Sequence, residues 1–561
     1  VVEIQPFDGH SFSKYERNEH DDVIGTIFLW RYRGDMNTLN SWPVLLRLAS
    51  VAIPLLFAVG ALLASRDRPF ASARRVSWGA VALSVPVALL GPLAAPGALS
   101  ELVRLDVVTS AMLLLVSGLS VVIVRYSDTY LRGDDGRLRY VRALLLTLAA
   151  VATLVLTENL FVLALAWTGS SLALHLLLTH FPDRLQARVA AHKKFLLSRT
   201  ADVAVLLATG LVYLSVGSVQ LGAIEAFVAS EPLPSMLQAA ALLVAAAVTL
   251  KTAQLPFHGW LTQVMEAPTP VSALLHAGVV NIGGFVLIRL ASLMTAAPVA
   301  SSLLVVVGTV TAVTASLIMT TWVSVKVNLA WSTAAQMGLM LVQCGLGLWH
   351  LALLHLLAHS VYKAHAFLSA GSTVDVWRVK VASPKREPVA AWGPLVTAAL
   401  TVPLTLAATT AVADAAGAHH GGLGPLSFLL GLALAPMLAR AAAGGVHTLV
   451  DAVGDAAGIV GLYLLWHIGF DLLSLGPAPG AFVTTVGWAL VVPAFVALFI
   501  VQVLLAAYPQ GRMARTLQPH LFAGFYLDAL FTRMTFVVWP PRIPPRPPLQ
   551  LPELTPETQV S

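Results

Sequence analysis

Residues 251–285 read KTAQLPFHGWLTQVMEAPTPVSALLHAGVVNIGGF and decide the fold, because Lys251, His258, Glu266 and His276 stand there around prolines 256 and 268 in otherwise apolar sequence. Even on lenient insertion scales a Lys or Asp at the bilayer centre costs roughly 2.5–3.5 kcal/mol, so ionisable groups in such a segment face a polar or hydrated interior. Proline breaks also free backbone carbonyls, which membrane depth tolerates only where protein or a water-filled cavity re-satisfies them. Interrupted helix and buried charge therefore point together to movement of ions.

Working outward, the 561 residues are 57% hydrophobic and 11% charged, with a mean hydropathy of +0.79. That apolar content exceeds what a soluble core of this size can hide, and the class expected is an all-α polytopic membrane protein. Apolar runs long enough to cross ~30 Å of hydrocarbon occur near 43–64, 76–96, 105–124, 141–157, 159–180, 194–216, 237–256, 269–291, 299–320, 325–345, 348–372, 391–414, 424–442, 450–472 and 481–508, about fifteen spans. The expected organisation is a polar extension over 1–40, a transmembrane domain over 41–510 and a C-terminal segment over 511–561 ending in a proline-rich tail.

Lys and Arg collect in every second loop, as in cytoplasmic loops generally. Arg66, Arg68, Arg74 and Arg75, then Arg132, Arg137, Arg139 and Arg142, then Arg184, Arg188, Lys193 and Lys194 fall on one side, with the C-terminal segment. The loops near 217–236, 292–298 and 413–423 hold no Lys or Arg, only Glu225, Glu231, Asp414 and His419-His420. The expectation is a multi-pass protein of a bacterial inner membrane with a cytoplasmic C-terminus. The net charge of +6 then reads as topology, and nucleic-acid binding is not needed to explain it.

The single cysteine, Cys344, allows no internal disulfide and no thiolate set for zinc or an iron–sulfur cluster. No Walker-type phosphate loop or dinucleotide fingerprint is present, so the expected energy source is an ion gradient and no cofactor is expected in this chain. Two adjacent histidines at 419–420 make a poor metal site without further ligands. Histidines 355 and 359 and Lys363 recur at i, i+4 and i+8, sharing one helix face about 12 Å long. Asp106, Asp202, Asp451 and Asp455 read as helix ends or local pairs, and Glu266 as a charge near the N-terminus of the next helix.

The 251–290 segment, with NLAWSTAAQMG at 328–338 and LHLLAHSVYKAHAFLSAGS at 354–372 following in order, resembles the antiporter-like membrane subunits of respiratory complex I and multi-subunit cation/proton antiporters. The likeness covers roughly residues 100–375, and its wording is most similar to the membrane subunit of the DAB-type inorganic-carbon accumulation system. The resemblance implies two inverted five-helix repeats with interrupted helices, and a midplane row of Lys251, His276, His355, His359 and Lys363 carrying H+ or Na+. It implies a large soluble zinc-dependent partner similar to a β-carbonic anhydrase, docked on the cytoplasmic face, zinc lying in that partner, and it allows a dimer of heterodimers. Coupling of ion flow to CO2 hydration and bicarbonate accumulation is the expected function.

The chain also departs from the respiratory pattern. Where relatives carry Trp-Glu-Gly it reads Trp167-Thr168-Gly169, so the carboxylate beside Lys251 is expected to be missing, with His175 a weaker polar substitute. The run 424–442 holds Pro436 and Arg440 but no lysine, which leaves a second interrupted helix in doubt. A subunit of a Na+/H+ antiporter or of a complex I or hydrogenase pump, and a scaffold with a decayed ion path, remain open alternatives. His258 is expected to serve structure.

Overall fold

A computed structural model describes residues 41–97, 99–382, 392–416, 423–471 and 481–540. The polar segment 1–40, His419-His420 and the proline-rich tail lie outside the described residues. Among those described the chain is helical, with only two isolated β-bridges, Val103–Thr157 and Asn159–Gln220.

The first helices are α1 (Ser41–Leu63), α2 (Pro69–Leu90), α3 (Val107–Tyr130), α4 (Arg137–Leu156) and α5 (Leu160–Leu178). Local chemistry sets their starts: Pro69 sits at the first position of α2, the Asp106 carboxylate accepts from Thr109 N–H, and the Asn159 side chain accepts from the N–H groups of Phe161 and Val162. Helix α6 (Leu185–Val216) is 32 residues long, about 48 Å, and so overhangs a bilayer core by several turns. Gly217 ends it at φ 75°, a left-handed cap suited to glycine.

After the short α7 (Leu221–Ser230), α8 (Ser235–Lys251) stops at the lysine, and α9 (Gly259–Gln263) resumes beyond Pro256. Side chains re-satisfy the backbone in the gap: Thr311 Oγ1 accepts from Leu255 N–H at 3.1 Å, and Gln254 Nε2 donates to Thr252 O at 3.0 Å. The next crossing is built from α10 (Thr269–Leu274), a π-turn (Leu275–Val279) and α11 (Ile282–Arg289). It is the most enclosed of the candidate spans, with 89% of its apolar window buried, against 17% for Val446–Gly469. The short α12 (Ala291–Ala296) leads to α13 (Pro298–Met319), α14 (Val325–Gly345) and α15 (Trp349–Leu368), which complete the surroundings of this crossing. Helices α13 and α14 approach so closely that a Cβ on Gly308 would lie 2.5 Å from Gly338 O, and one on Gly338 2.6 Å from Gly308 O.

The remaining helices are α16 (Thr373–Ala382), α17 (Trp392–Ala416), α18 (Leu423–Ala443), α19 (Val446–Asp471), α20 (Ala481–Ala507), α21 (Arg512–Phe522) and α22 (Leu527–Val538). Among the described residues twelve spans are long and apolar enough to cross a membrane, or thirteen if the bent pair of α21 and α22 counts as one. Segment 235–251 has only 17 residues, and α14 and α15 are diluted by the polar and titratable residues that make them interesting. The second interrupted helix that the resemblance implies is not found at Pro436, in keeping with the doubt the missing lysine raised. Helix α18 runs through Pro436 without interruption, with Arg440 Nε donating to Pro436 O at 3.1 Å, because a lone proline bends a helix that its neighbours still support.

Away from the basic loops an ion network ties the ends of α3 and α11. Arg289 donates to both Asp106 oxygens, at 2.5 and 3.0 Å, and to Thr109 Oγ1, while Arg104 bridges Asp106 and Glu225, both at 2.9 Å. Burial opposes ionisation of Asp106, but Arg289, the Thr109 N–H and Arg104 outweigh it and hold its carboxyl well below the usual carboxylate range. Burial pushes the neighbouring Glu158 carboxyl up.

Candidate ion pathway

Lys251 is the last residue of α8, where the interruption turns its side chain into the bundle instead of along another helical turn. Its Nζ lies 2.5 Å from Asp202 Oδ1 on α6, and both side chains are buried. Arg199, one turn earlier, holds Asp202 Oδ2 at 2.7 Å, and the Lys251 ammonium sits 4.1 Å from the centre of the Trp167 ring. The expectation that Lys251 lacks a carboxylate is therefore wrong. Asp202 reaches it from the following helix, whereas Thr168 Oγ1, at the sequence position where one was sought, is buried without a hydrogen-bond partner.

Lys193 and Lys194 correct a second expectation. They are not solvated loop residues but belong to α6 and are buried. Lys194 Nζ donates to Ser171 Oγ at 2.7 Å and to Ser171 O at 2.9 Å. Lys194, Ser198 and Asp202, spaced by four, form a polar stripe along α6 that ends at Lys251.

The second group forms around the π-turn, an irregularity that recurs at functional sites. His276 Nδ1 is 3.0 Å from Thr333 Oγ1, its ring stacks on Phe367 at 4.3 Å, and its Nε2 has no partner. His359 Nε2 approaches His276 O at 3.3 Å and its Nδ1 lies 2.6 Å from Gln336 Oε1. On the same face of α15, His355 meets Gln343 Oε1 at 2.9 Å, and the His355 and His359 rings are 5.8 Å apart. Lys363 is fully buried, with Nζ donating to Ser332 Oγ at 2.8 Å and Leu329 O at 3.2 Å. Asn281 bridges to Ser360 Oγ at 2.8 Å. The structure thus brings His276, His355, His359 and Lys363 into one polar seam. Lys251 anchors a separate cluster, and no direct hydrogen bond joins the two groups among the described residues.

The lesser candidates fall elsewhere. His258 is buried against Trp331 at 4.8 Å, its Nδ1 3.3 Å from Pro256 O. With Glu266 it lines a cavity of about 310 Å³ under the interrupted helix. No side chain caps α10, so Glu266 does not cap it by hydrogen bonding, and its backbone carbonyl instead accepts from Arg184 Nη1 at 2.9 Å. His175 packs into an aromatic cluster with Phe195, His192 and Trp539. Among the described residues no three His, Cys, Asp or Glu side chains gather as a metal site.

Chemically, the buried amines of Lys251, paired with a carboxylate, and Lys363, held by neutral oxygens, are suited to binding and releasing protons. Histidines and amides of the Lys363 seam lie 2.6–3.3 Å from their partners, a spacing suited to proton transfer along that seam. Sequence reasoning missed the roles of Asp202 and Arg199, although the eight-residue spacing of Asp202 from Lys194 was visible. Thr333, Gln336 and Gln343 were missed because uncharged residues on α14 carry no signal until packed against α15.

The sequence matches two family models: NADH:quinone oxidoreductase/Mrp antiporter, TM, over residues 157–409, and NADH-ubiquinone oxidoreductase (complex I), chain 5 N-terminus, over residues 99–141. It is 39% identical over 514 residues to the probable inorganic carbon transporter subunit DabB of Hydrogenovibrio crunogenus, covering 88% of this chain and 95% of that protein. It is 37% identical over 494 residues to the probable inorganic carbon transporter subunit DabB2 of Halothiobacillus neapolitanus, covering 86% and 87%. Among solved structures, the Mrp complex from Dietzia sp. aligns with a TM-score of 0.51 at 22% identity, over 88% of this chain and 56% of that one, a likeness of fold.

Proposed function

The chain belongs to the DabB family of inorganic carbon transporter subunits, and from that premise we propose that it conducts protons along Lys251, His276, His355, His359 and Lys363 to drive inorganic-carbon accumulation. The observation that carries this reading is the buried Lys251–Asp202 pair where α8 breaks, together with a second buried amine, Lys363, in a separate seam at the end of a histidine row. Keeping two ammonium groups this deep costs several kcal/mol per ion, and a merely structural bundle gains nothing from them that packed apolar residues would not supply. In this reading gain or loss of a proton at one amine changes the field at its neighbours and biases the interrupted helix. Asp202 takes the place of the absent glutamate at position 168.

The energy is passed to a large soluble zinc-dependent partner resembling a β-carbonic anhydrase, docked on the basic loops at the cytoplasmic face of a bacterial inner membrane. That partner hydrates CO2, and this chain is a transporter subunit rather than an enzyme. The architecture that goes with it has about fifteen spans in which α8, α14 and α15 cross together with the twelve apolar helices, and it contains the two inverted repeats. A second reading, a subunit of a Na+/H+ antiporter or respiratory pump, is favoured by the family models over 99–141 and 157–409.

Affinity purification of the tagged chain in mild detergent, with mass spectrometry and a zinc assay, separates the two. The expected result is one large zinc-bearing soluble partner. A set of small membrane subunits or iron–sulfur proteins would overturn the inorganic-carbon reading in favour of the second.

A further inference from the structure

The C-terminal helices α21 and α22 fold back onto the interrupted helix on the side of the basic loops. There the Asp528 carboxylate accepts from Lys193 Nζ at 2.7 and 2.9 Å and from Gln263 Nε2 at 2.6 Å, and Thr532 Oγ1 also accepts from Lys193, at 2.6 Å. The Lys193 side chain is wholly buried whereas that of Asp528 is 21% exposed, so the pair straddles the boundary between the packed bundle and the outside. Asp528 lines the 310 Å³ cavity that also holds His258, Gln263 and Glu266. Lys194, the next residue of α6, turns to Ser171 and begins the polar stripe of Lys194, Ser198 and Asp202 that runs along α6 to Lys251.

Gly259 explains how a carboxylate fits here. A Cβ at that position would collide with the Asp528 carboxylate, so the first residue of α9 has to be glycine for Asp528 to reach Lys193. Ring contacts already hold the segment in place: Trp539 stacks on His192 at 4.0 Å, Phe522 on Trp322 at 4.8 Å, and Phe531 meets Phe257 at 6.1 Å. A staple needs no more than these, and replacing a buried ion pair by apolar groups is often neutral or stabilising. A charged pair retained at this place therefore points to a use of its charge.

We propose that Asp528 is the access residue of the Lys251 half of the pathway, and that α21 and α22 are a working part of translocation. The proposal rests on the proton-conducting reading above. Lys193 gives its proton to the neutral amine of Lys194, the next titratable group towards Lys251, and Asp528, protonated from the cavity, passes its proton to the neutral Lys193 and returns to the carboxylate that holds it.

The test is proton flux into liposomes carrying the purified complex, followed with a trapped pH-sensitive dye. Asp528→Asn and Gly259→Ala, the latter displacing the carboxylate without removing any charge, are each expected to slow flux by about tenfold or more. The double variant Asp528→Asn/Lys193→Gln removes both charges while keeping near-equal shapes. A structural pair predicts that it restores flux along with assembly, whereas an access residue predicts restored assembly with flux still low. Wild-type flux in Gly259→Ala, or restored flux in the double variant, would overturn the proposal while Lys251→Ala stayed inactive. Wild-type flux in Lys251→Ala would overturn the proton-conducting reading, and the proposal with it.

Discussion

Replacing Asp202 by Asn leaves the shape of the Lys251 site almost unchanged and removes the carboxylate paired with it. At the observed 2.5 Å and an effective dielectric constant near 20, the direct attraction is about 7 kcal/mol before desolvation is counted. Part of that is offset by the loss of water around both groups, and Arg199 shares the same carboxylate at 2.7 Å. Breaking a buried pair by removing one partner costs about 3–5 kcal/mol in comparable cases. If half of it, about 2 kcal/mol, falls on the step that reloads Lys251, flux drops by about 30-fold. The assay is uncoupler-sensitive proton uptake by vesicles containing the complex, normalised to assembled protein from size-exclusion chromatography. Asp202→Glu should recover a large part of the rate. Asp202→Asn with normal flux, beside an inactive Lys251→Ala, would refute the assignment of Asp202 as the working partner.

Three further outcomes are expected. Lys363→Ala and His359→Ala should each lower flux by about tenfold or more in normally assembled protein, because each interrupts the seam on α15; vesicle flux measurements on the two variants check this. Asp106, whose carboxyl is held below its ordinary value of 3.8, should contribute stability that is complete above about pH 4 and lost as pH falls through its lower folded value. Thermal melts of the solubilised protein should therefore show an acid limb below about pH 4 to which Asp106 contributes, and Asp106→Asn should reduce that limb while lowering stability at neutral pH by about 1.5–3 kcal/mol. Gly308→Leu should force α13 from α14 and abolish the monodisperse size-exclusion peak, since the facing backbone at Gly338 cannot move aside.

What could be read from the sequence and what could not divide along a physical line. The interruption after Lys251 was legible because proline and buried charge are rare in a membrane span, and the face shared by residues 355, 359 and 363 because helical spacing alone defines it. Asp202 was not, since one acid near the middle of a 32-residue helix gives no sign of which neighbouring helix it will meet. The lysines at 193 and 194 misled for a related reason: loop charge and helix-end charge look alike until the overhang of α6 beyond the bilayer is known. Pro436 left the matter open, for proline marks a bend but only the surroundings decide whether the helix breaks. Asp528 carried no signal at all, because its role depends on a chain reversal and on the space left by Gly259, 269 residues earlier.

The most direct test of the central claim is uncoupler-sensitive bicarbonate accumulation in cells carrying the complex with Lys251→Ala or Lys363→Ala. Loss of accumulation in both, with the complex still assembled in the membrane, is the predicted result. Normal accumulation in either variant would contradict an ion path through these two lysines.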